Sequence, residues 1–246
     1  MPHDLTPYLL GGLSAFLVGM SKTGVPGVSI PGVLLVTLAF SGADKLSVGA
    51  LLPVLLVGDV MGVLTHREHT QWKSLARLFP AVAVGMVPAA FVLWRLSDSQ
   101  FKTFLGLLIL ILLVAEGARR KAGLEDVPHR CWFTFGAGAI AGFSSLVGNA
   151  AGPVMTIYLL ARGFDKHHFM GTWVWFFLIV NATKLPILAG LGLITVGTLA
   201  FSASVAGMVI VGALAGRRIF DVIPQKVFDP LVLALTAFAA VYMVTF

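Results

Sequence analysis

Long runs of apolar residues, separated by short polar or Gly/Pro-rich breaks, make up most of the chain. They occupy segments at residues 8–20, 27–40, 47–64, 75–94, 103–116, 133–147, 152–161, 169–189, 197–215 and 227–245. Apolar runs approaching ~20 residues are long enough to cross the hydrocarbon layer of a bilayer as helices. The pattern therefore predicts an all-α, polytopic membrane protein.

Two adjacent pairs of segments are shorter than the others. Residues 8–20 and 27–40 are joined by SKTGVP, and residues 133–147 and 152–161 are joined by GNAA. Helices of these lengths would measure ~15–22 Å, which is less than the ~30 Å thickness of the hydrocarbon layer. We expect each pair to be a broken or re-entrant helix pair that opens one half of the chain and is followed by three full spans.

The order of short and long segments is the same in both halves. A shift of 126 positions places Gly12 on Gly138, and a shift of 122 positions places Asp59 on Asn181. An internal repeat with matched, interrupted apolar segments indicates a transporter, with its site at the interruptions. We predict a first transmembrane repeat at residues 1–117, a basic linker at 118–130 and a second repeat at 131–246.

Loop charges distinguish a parallel from an inverted arrangement of the repeats. If each short pair crossed the membrane once, one face would hold eight Lys and Arg residues and the other seven. If each pair returns to the face it came from, the division becomes twelve to three, which is the asymmetry that cytoplasmic loops show. We therefore expect inverted repeats in a cell membrane, in bacteria the inner membrane, with both termini outside and the linker in the cytoplasm.

Composition excludes several classes of protein. The chain is 58% hydrophobic and 11% charged, far from the ~25% charged residues of a soluble domain. The net charge of +6 lies in short loops, which indicates contact with the bilayer surface and not with nucleic acid. Cys131 is the only cysteine, so no internal disulfide forms. The six histidines have no carboxylate or cysteine cluster beside them, and we expect neither a metal site nor a cofactor.

The first break places a lysine between two apolar segments. It reads GMSKTGVPGVSIPG, with Lys22 at its tip. A helix restarting near Pro26 would turn its free amides and positive dipole end toward the break, where an anion is favoured. The neighbouring residues that we expect to bind the same ligand are Ser21, Thr23 and Gly24. The alternative is that Lys22 extends to the membrane interface.

The second break offers small polar groups without a charge. It reads GFSSLVGNAAGPVM, and Ser145, Gly148 and Asn149 are its candidate binding residues. In an inverted arrangement the two breaks approach each other near the middle of the membrane. The alternative for the glycines is close helix packing, which membrane proteins use widely.

Three polar residues lie within otherwise apolar spans, namely Asp59, Asn181 and Lys184. An ionisable residue at membrane depth indicates function by default, so these three are candidates for ion coupling. Asp59 would carry a proton or pair with Lys22 or Lys184, and a purely structural pair is the alternative. Lys184 precedes Pro186 and would otherwise lie near the outer interface. We interpret the tryptophans, Trp132, Trp173 and Trp175, as interface and packing residues.

The two glycine-containing breaks resemble those of the TauE/SafE family, the sulfite exporters or toluene-sulfonate uptake permeases. The stretch GFSSLVGNAAGPVMTIYLL is similar to the family's glycine-rich motif, with Asn149 and Ala150 in place of glycines. The stretch LVGMSKTGVPGVSIPGVLLV is a more divergent version that contains Lys22 and Thr23. The resemblance covers nearly the whole chain, and it implies secondary transport of sulfite, organosulfonates or related carboxylates.

We therefore expect a secondary transporter of a small anion, most simply sulfite or an organosulfonate, that works by alternating access around one site between the breaks. A channel or facilitator for small anions or carboxylates is the first alternative. A membrane-embedded enzyme is less favoured because Ser144 and Ser145 lack a nearby base. A scaffold subunit is a third alternative, and a homodimer is allowed for.

Overall fold

Helices form the secondary structure of the computed structural model, which describes residues 5–40, 43–95 and 130–245 and the single positions 97, 100, 107, 111 and 114. Over these residues no strand occurs. The helices are α1 (Thr6–Thr23), α2 (Ser29–Ala39), α3 (Asp44–His66), α4 (Trp72–Arg95), α5 (Cys131–Gly148), α6 (Ala151–Ala161), α7 (Lys166–Gly190), α8 (Val196–Val222) and α9 (Gln225–Thr245), with a 3₁₀ turn at Arg67–His69. The predicted span at 103–116 and linker at 118–130 lie almost entirely outside the described residues.

Several helices have the length and composition of membrane spans. Within the described part of the chain, five of them, α3, α4, α5, α7 and α8, are long and apolar enough to cross a bilayer. Their outward faces carry large apolar side chains, such as Val87 on α4 and Leu214 on α8, which are more than half exposed. Such faces are suited to lipid. The prediction of an all-α, multi-pass membrane protein is confirmed.

The paired segments at the two breaks differ from the prediction in length. The first members, α1 and α5, each have 18 residues, or ~27 Å at 1.5 Å per residue. They are longer than the ~15–22 Å expected from the sequence but still shorter than the ~30 Å hydrocarbon layer. Helix α1 continues through Ser21 and Thr23 because their hydroxyl groups find partners inside the protein. The second members, α2 and α6, have 11 residues. Helix α2 begins at Ser29 rather than near Pro26, since Gly27 has a φ of 99°.

Each pair is a hairpin that ends on the face where it begins. Tyr8, near the start of α1, and Phe40, directly after α2, both contact Phe201, with ring centroids 5.9 Å and 5.0 Å apart. Cys131, the first residue of α5, and Arg162, directly after α6, line one surface groove. The turn of each hairpin therefore lies within the protein, away from its two ends.

Glycines allow the hairpins to pack closely on the long helices. A Cβ atom on Gly19 of α1 would lie 2.0 Å from the carbonyl oxygen of Val209 on α8. A Cβ atom on Gly142 of α5 would lie 2.1 Å from the carbonyl oxygen of Val82 on α4. Helix α1 of the first half thus packs on α8 of the second half, and α5 of the second half packs on α4 of the first. The long helices α3 and α7 also contact each other.

Candidate functional site

Four polar side chains meet between α1, α3 and α7 in one connected set, the central polar chain: Lys22, Asp59, Asn181 and Lys184. Lys22 Nζ lies 2.7 Å from Asp59 Oδ1. Asn181 Nδ2 donates to Asp59 Oδ2 over 2.6 Å, and Lys184 Nζ donates to Asn181 Oδ1 over 2.9 Å. All four residues are buried. Ionisable groups removed from water in this way are retained only with partners, and here each has one.

Lys22 reaches the central polar chain from the last turn of α1. Its stem passes Gly58 of α3, where a Cβ atom would lie 3.1 Å from Lys22 Cγ. Its ammonium group lies 3.9 Å from the ring centroid of Phe177, opposite the negative face of that ring. Lys22 is only 3% exposed, so it does not extend to the membrane interface. Of the two partners predicted for Asp59, the structure selects Lys22 for the ion pair.

Lys184 is held by neutral acceptors only. Its ammonium group donates to Asn181 Oδ1, to Ser145 Oγ over 3.3 Å and to Asn149 Oδ1. No carboxylate lies within ion-pair distance of it among the described residues. Lys184 is fully buried, so it does not lie at the outer interface. With all three ionisable groups charged, the central polar chain therefore carries one positive charge more than negative.

Asn149 of the second break is hydrogen-bonded to Lys184 and so connects this break to the central polar chain. It ends α5 in the left-handed conformation, with a φ of 55°, which asparagine adopts more readily than most residues. Its Nδ2 donates to the carbonyl oxygen of Val48 on α3 over 3.3 Å. This bond turns the side-chain oxygen toward Lys184. The two breaks thus meet at the same polar centre from different hairpins.

A small cavity of about 20 Å³ adjoins the central polar chain. That space holds on the order of one or two waters. Its lining residues are Lys22, Ser29, Val33, Leu55, Ser145, Asn149, Ala150, Gly152, Pro153, Trp173, Phe177 and Asn181. Ser29 begins α2, and Gly152 lies in the first turn of α6. The N-termini of both short helices therefore border the cavity, together with the ammonium group of Lys22.

Three of the seven predicted binding residues line this cavity, namely Lys22, Ser145 and Asn149. Ser21 does not line the cavity itself, but its hydroxyl group donates to Oγ of Ser29, a lining residue, over 3.1 Å. The three predicted coupling residues all belong to the central polar chain, and Asn181 also lines the cavity. The structure thus brings together most of the polar residues that the sequence singled out.

The other predicted binding residues contact neighbouring helices. Thr23 Oγ1 donates to the carbonyl oxygen of Ala213 on α8 over 2.6 Å. A Cβ atom on Gly24 would lie 2.4 Å from the carbonyl oxygen of Gly216, also on α8. Gly148 is the buried last residue of α5 and is not among the lining residues. In this conformation Thr23 and Gly24 fix the first break against α8.

Sequence reasoning missed several residues of the site. Trp173 was interpreted as an interface and packing residue; it is 1% exposed, packs on Phe169 and Phe177, and lines the cavity, so it does not lie at the interface. The signal was present, because Trp173, Phe177, Asn181 and Lys184 follow one another at helical spacing and share one face of α7. His66 was also missed. Its Nε2–H donates to the carbonyl oxygen of Thr23 over 2.8 Å and fixes the end of α1, a contact that no local pattern indicates.

Comparison with known proteins gives a family match. The model of the family described as sulfite exporter TauE/SafE matches residues 8–243. No curated protein and no solved structure matches the chain. The matched range includes both hairpins and all residues of the central polar chain.

Proposed function

The chain belongs to the sulfite exporter TauE/SafE family, a family of membrane transporters of sulfur anions, and we propose that it is a secondary transporter whose substrate is sulfite or a small organosulfonate. The observation that carries the proposal is a buried cluster of two ammonium groups and one carboxylate beside a cavity. The fold explains how such a cluster is kept away from lipid.

The excess charge of the cluster favours an anion. Two unit charges 4 Å apart interact by about 4 kcal/mol at the effective dielectric constant typical of proteins. Lys22 lines the cavity and is the group that an anion would meet first. The hydroxyl group of Ser29 and the side chain of Asn149 offer hydrogen bonds to further oxygens of the same ligand.

The short helices add to this attraction. Free backbone amides at the first turns of α2 and α6 border the cavity. The N-terminus of a helix carries roughly half a positive charge, and its amides bind oxyanions. A sulfonate or sulfite group has three oxygens, which suits a site with an ammonium group and two sets of amides.

Asp59 is our candidate for the coupling proton. Its Oδ1 contacts Lys22 but accepts no aligned hydrogen bond, whereas Oδ2 accepts one from Asn181. The charged and polar groups that face Asp59 are Lys22 on α1 and Asn181 and Lys184 on α7. A proton on Oδ1 would remove the counter-charge of Lys22 and leave two positive charges for a divalent anion. Release of the proton and the anion would restore the ion pair.

Reciprocal contacts support inverted repeats and alternating access. Gly49 of α3 packs on Leu193, which follows α7, so closely that a Cβ atom on Gly49 would lie 1.8 Å from the Leu193 carbonyl oxygen. Gly171 of α7 packs on His69, which follows α3, and a Cβ atom on Gly171 would lie 2.8 Å from the His69 carbonyl carbon. These two glycines are equivalent under the 122-position shift, and so are their partners' locations in the fold. Rocking of one half against the other about α3 and α7 would open the cavity to each face in turn.

Transport by purified protein in liposomes tests this proposal. We expect sulfite to accumulate against its own gradient when a pH gradient is imposed, and sulfoacetate, taurine and small carboxylates to compete less well. Equilibration without accumulation would identify a channel or facilitator. Chemical conversion of sulfite would identify an enzyme. Liposomes as impermeable as protein-free controls to every one of these anions would overturn the proposal.

A further inference from the structure

Trp173 has a buried hydrogen-bond donor without a partner. Its side chain is 1% exposed, and Nε1 has no acceptor within hydrogen-bonding distance. Buried indole N–H groups usually have a partner, and leaving a donor unsatisfied costs about 1–3 kcal/mol. The same residue lines the cavity beside the central polar chain. The indole N–H of Trp173 therefore lacks an acceptor within the protein, and a ligand in the cavity could supply one.

The ring of Trp173 is held in place by other aromatic side chains. It stacks on Phe169 with centroids 5.5 Å apart and contacts Phe177 at 4.7 Å. Phe177 is also the ring that faces the ammonium group of Lys22. The indole and the ammonium group thus both contact the ring of Phe177.

Gly152 leaves room beside the indole. A Cβ atom at this glycine would lie 3.7 Å from Cη2 of Trp173. Gly152 belongs to the first turn of α6 and lines the cavity. The edge of the indole therefore lies next to a helix N-terminus, where an oxyanion would already find backbone amides.

On the basis of the proposed function, we propose that the indole N–H of Trp173 donates a hydrogen bond to an oxygen of the transported anion. Nε1 is not open to water in this conformation, so the bond forms when the cavity widens around the ligand. The unsatisfied donor destabilises the contracted cavity relative to the occupied one.

Trp175 is a matched control on the same helix. Its Nε1 is likewise buried without a partner. Its ring, however, contacts Trp72 on α4, with centroids 5.0 Å apart, and it does not line the cavity. Replacing either tryptophan with phenylalanine removes one unsatisfied N–H group, but only Trp173 is a residue that lines the cavity.

Calorimetric titration of sulfite into the purified variants tests this inference. We expect Trp173→Phe to weaken sulfite binding by about 10–150-fold, which corresponds to the loss of one hydrogen bond to a charged group. Trp175→Phe should change it less than twofold. Chloride, titrated in the same way, should bind equally weakly to both variants and to the wild type.

Sulfite affinity in Trp173→Phe equal to that of the wild type would overturn the role of the indole. The transport proposal would survive that result if sulfite still bound and if Lys22→Met, combined with Asp59→Asn, abolished binding. Absence of sulfite binding to the wild-type protein would overturn both. If Trp173→Phe does not fold, the indole ¹H–¹⁵N resonance of the wild type replaces it. Saturating sulfite should shift the Trp173 signal downfield and leave that of Trp175 unchanged, and an unshifted Trp173 signal would contradict the inference.

Discussion

Asp59 and Asn181 are hydrogen-bonded to each other over 2.6 Å and lie 122 positions apart in the chain. This separation is the same shift that aligns the long spans of the two halves. Two equivalent residues touch only where a twofold axis passes between them, so the pair marks the centre of the proposed repeat. The carboxylate and the carboxamide are complementary here, whereas two carboxylates at this depth would repel each other.

Replacing Asp59 with asparagine should uncouple transport from protons. Asn has the same shape as Asp but carries no titratable group, and the Asp59→Asn variant leaves Lys22 without a counter-charge, which costs about 3–5 kcal/mol of stability. We expect sulfite to bind at least as tightly as in the wild type and with weaker pH dependence. Proteoliposomes with a trapped pH indicator should then show sulfite flux without proton movement.

The double exchange Asp59→Asn with Asn181→Asp is the control for that variant. It returns one carboxylate to the same hydrogen-bonded pair with donor and acceptor reversed. Coupled proton movement should reappear in part. Proton movement in Asp59→Asn equal to that of the wild type would exclude Asp59 as the coupling residue.

Removing the ammonium group of Lys22 should abolish anion binding. Lys22→Met alone leaves Asp59 buried and unpaired, a change that costs about 3–5 kcal/mol. The variant to titrate is therefore Lys22→Met combined with Asp59→Asn, in which both charges are absent. We expect its affinity for sulfite to fall by about 100-fold or more, in keeping with a loss of about 3 kcal/mol of electrostatic attraction.

Lys226→Met is the comparison for this loss. Lys226 is exposed near the start of α9 and has the same charge and length as Lys22. Its removal lowers the net charge of the protein by one and leaves the cavity unchanged, whereas the double variant at Lys22 and Asp59 keeps the net charge of the wild type. Sulfite affinity that falls by the same factor in both proteins would mean that the position of Lys22 at the cavity does not govern binding.

The sequence predicted the members of the site better than their arrangement. Lys22, Asp59 and Lys184 were recognisable because an ionisable residue within an apolar run is costly at membrane depth and is rarely kept there without a role. The choice of Lys22 as the partner of Asp59 depends on the missing side chain of Gly58, which lets the lysine stem pass α3. That is a tertiary contact, and the hydropathy of the sequence does not predict it.

The sequence did not predict the end of α1 or the apolar residues that line the cavity, because both also depend on tertiary contacts. Ser21 and Thr23 read as the end of an apolar run, yet their hydroxyl groups are satisfied by Ser29 and by the Ala213 carbonyl, so α1 continues. Trp173 was interpreted as an interface and packing residue because tryptophan is common at the membrane interface. Which aromatic residues face the centre depends on how α7 is rotated, and packing decides that rotation.

Close packing of α1 on α8 should make Gly19 intolerant of a side chain. A Cβ atom there would lie 2.0 Å from the carbonyl oxygen of Val209, and backbone can yield only if the helices separate. We expect Gly19→Ala to destabilise the protein by at least ~1–3 kcal/mol, the usual cost of overpacking. Thermal unfolding in detergent, followed by loss of monodisperse protein, measures the change.

Gly207→Ala on α8 is the matched substitution. No heavy atom lies within 4 Å of a Cβ atom at Gly207, and alanine is favoured over glycine within a helix by up to ~1 kcal/mol. Its melting temperature should equal or exceed that of the wild type. If Gly19→Ala melts as high as Gly207→Ala, α1 and α8 are not packed as closely as described.

The start of α7 should respond to pH through Asp165. Its Oδ1 accepts hydrogen bonds from the backbone amides of His167 and His168, at 2.9 Å and 3.1 Å, and its Oδ2 contacts the His168 ring. Partial burial alone would raise the pKa of Asp165, but the hydrogen bonds from the His168 side chain and the two amides outweigh it and hold the pKa below its usual value. Asp165→Ala should lower stability by about 1 kcal/mol at neutral pH, as loss of an N-cap does.

Because the pKa of Asp165 is lower in the folded state than in the unfolded chain, this contribution is present above the unfolded-state value of ~3.9 and is lost as the pH falls through the folded-state value. The difference in melting temperature between the wild type and Asp165→Ala should therefore be largest near neutral pH and shrink below about pH 4. Asp165→Asn keeps one acceptor for the amides but has no titratable group, so its difference from Asp165→Ala should not change with pH. Since the Asp165 side chain is about half exposed, added salt should reduce the effect in the wild type. A wild-type advantage that stays constant from neutral to acidic pH would show that the cap acts through the shape of the side chain alone.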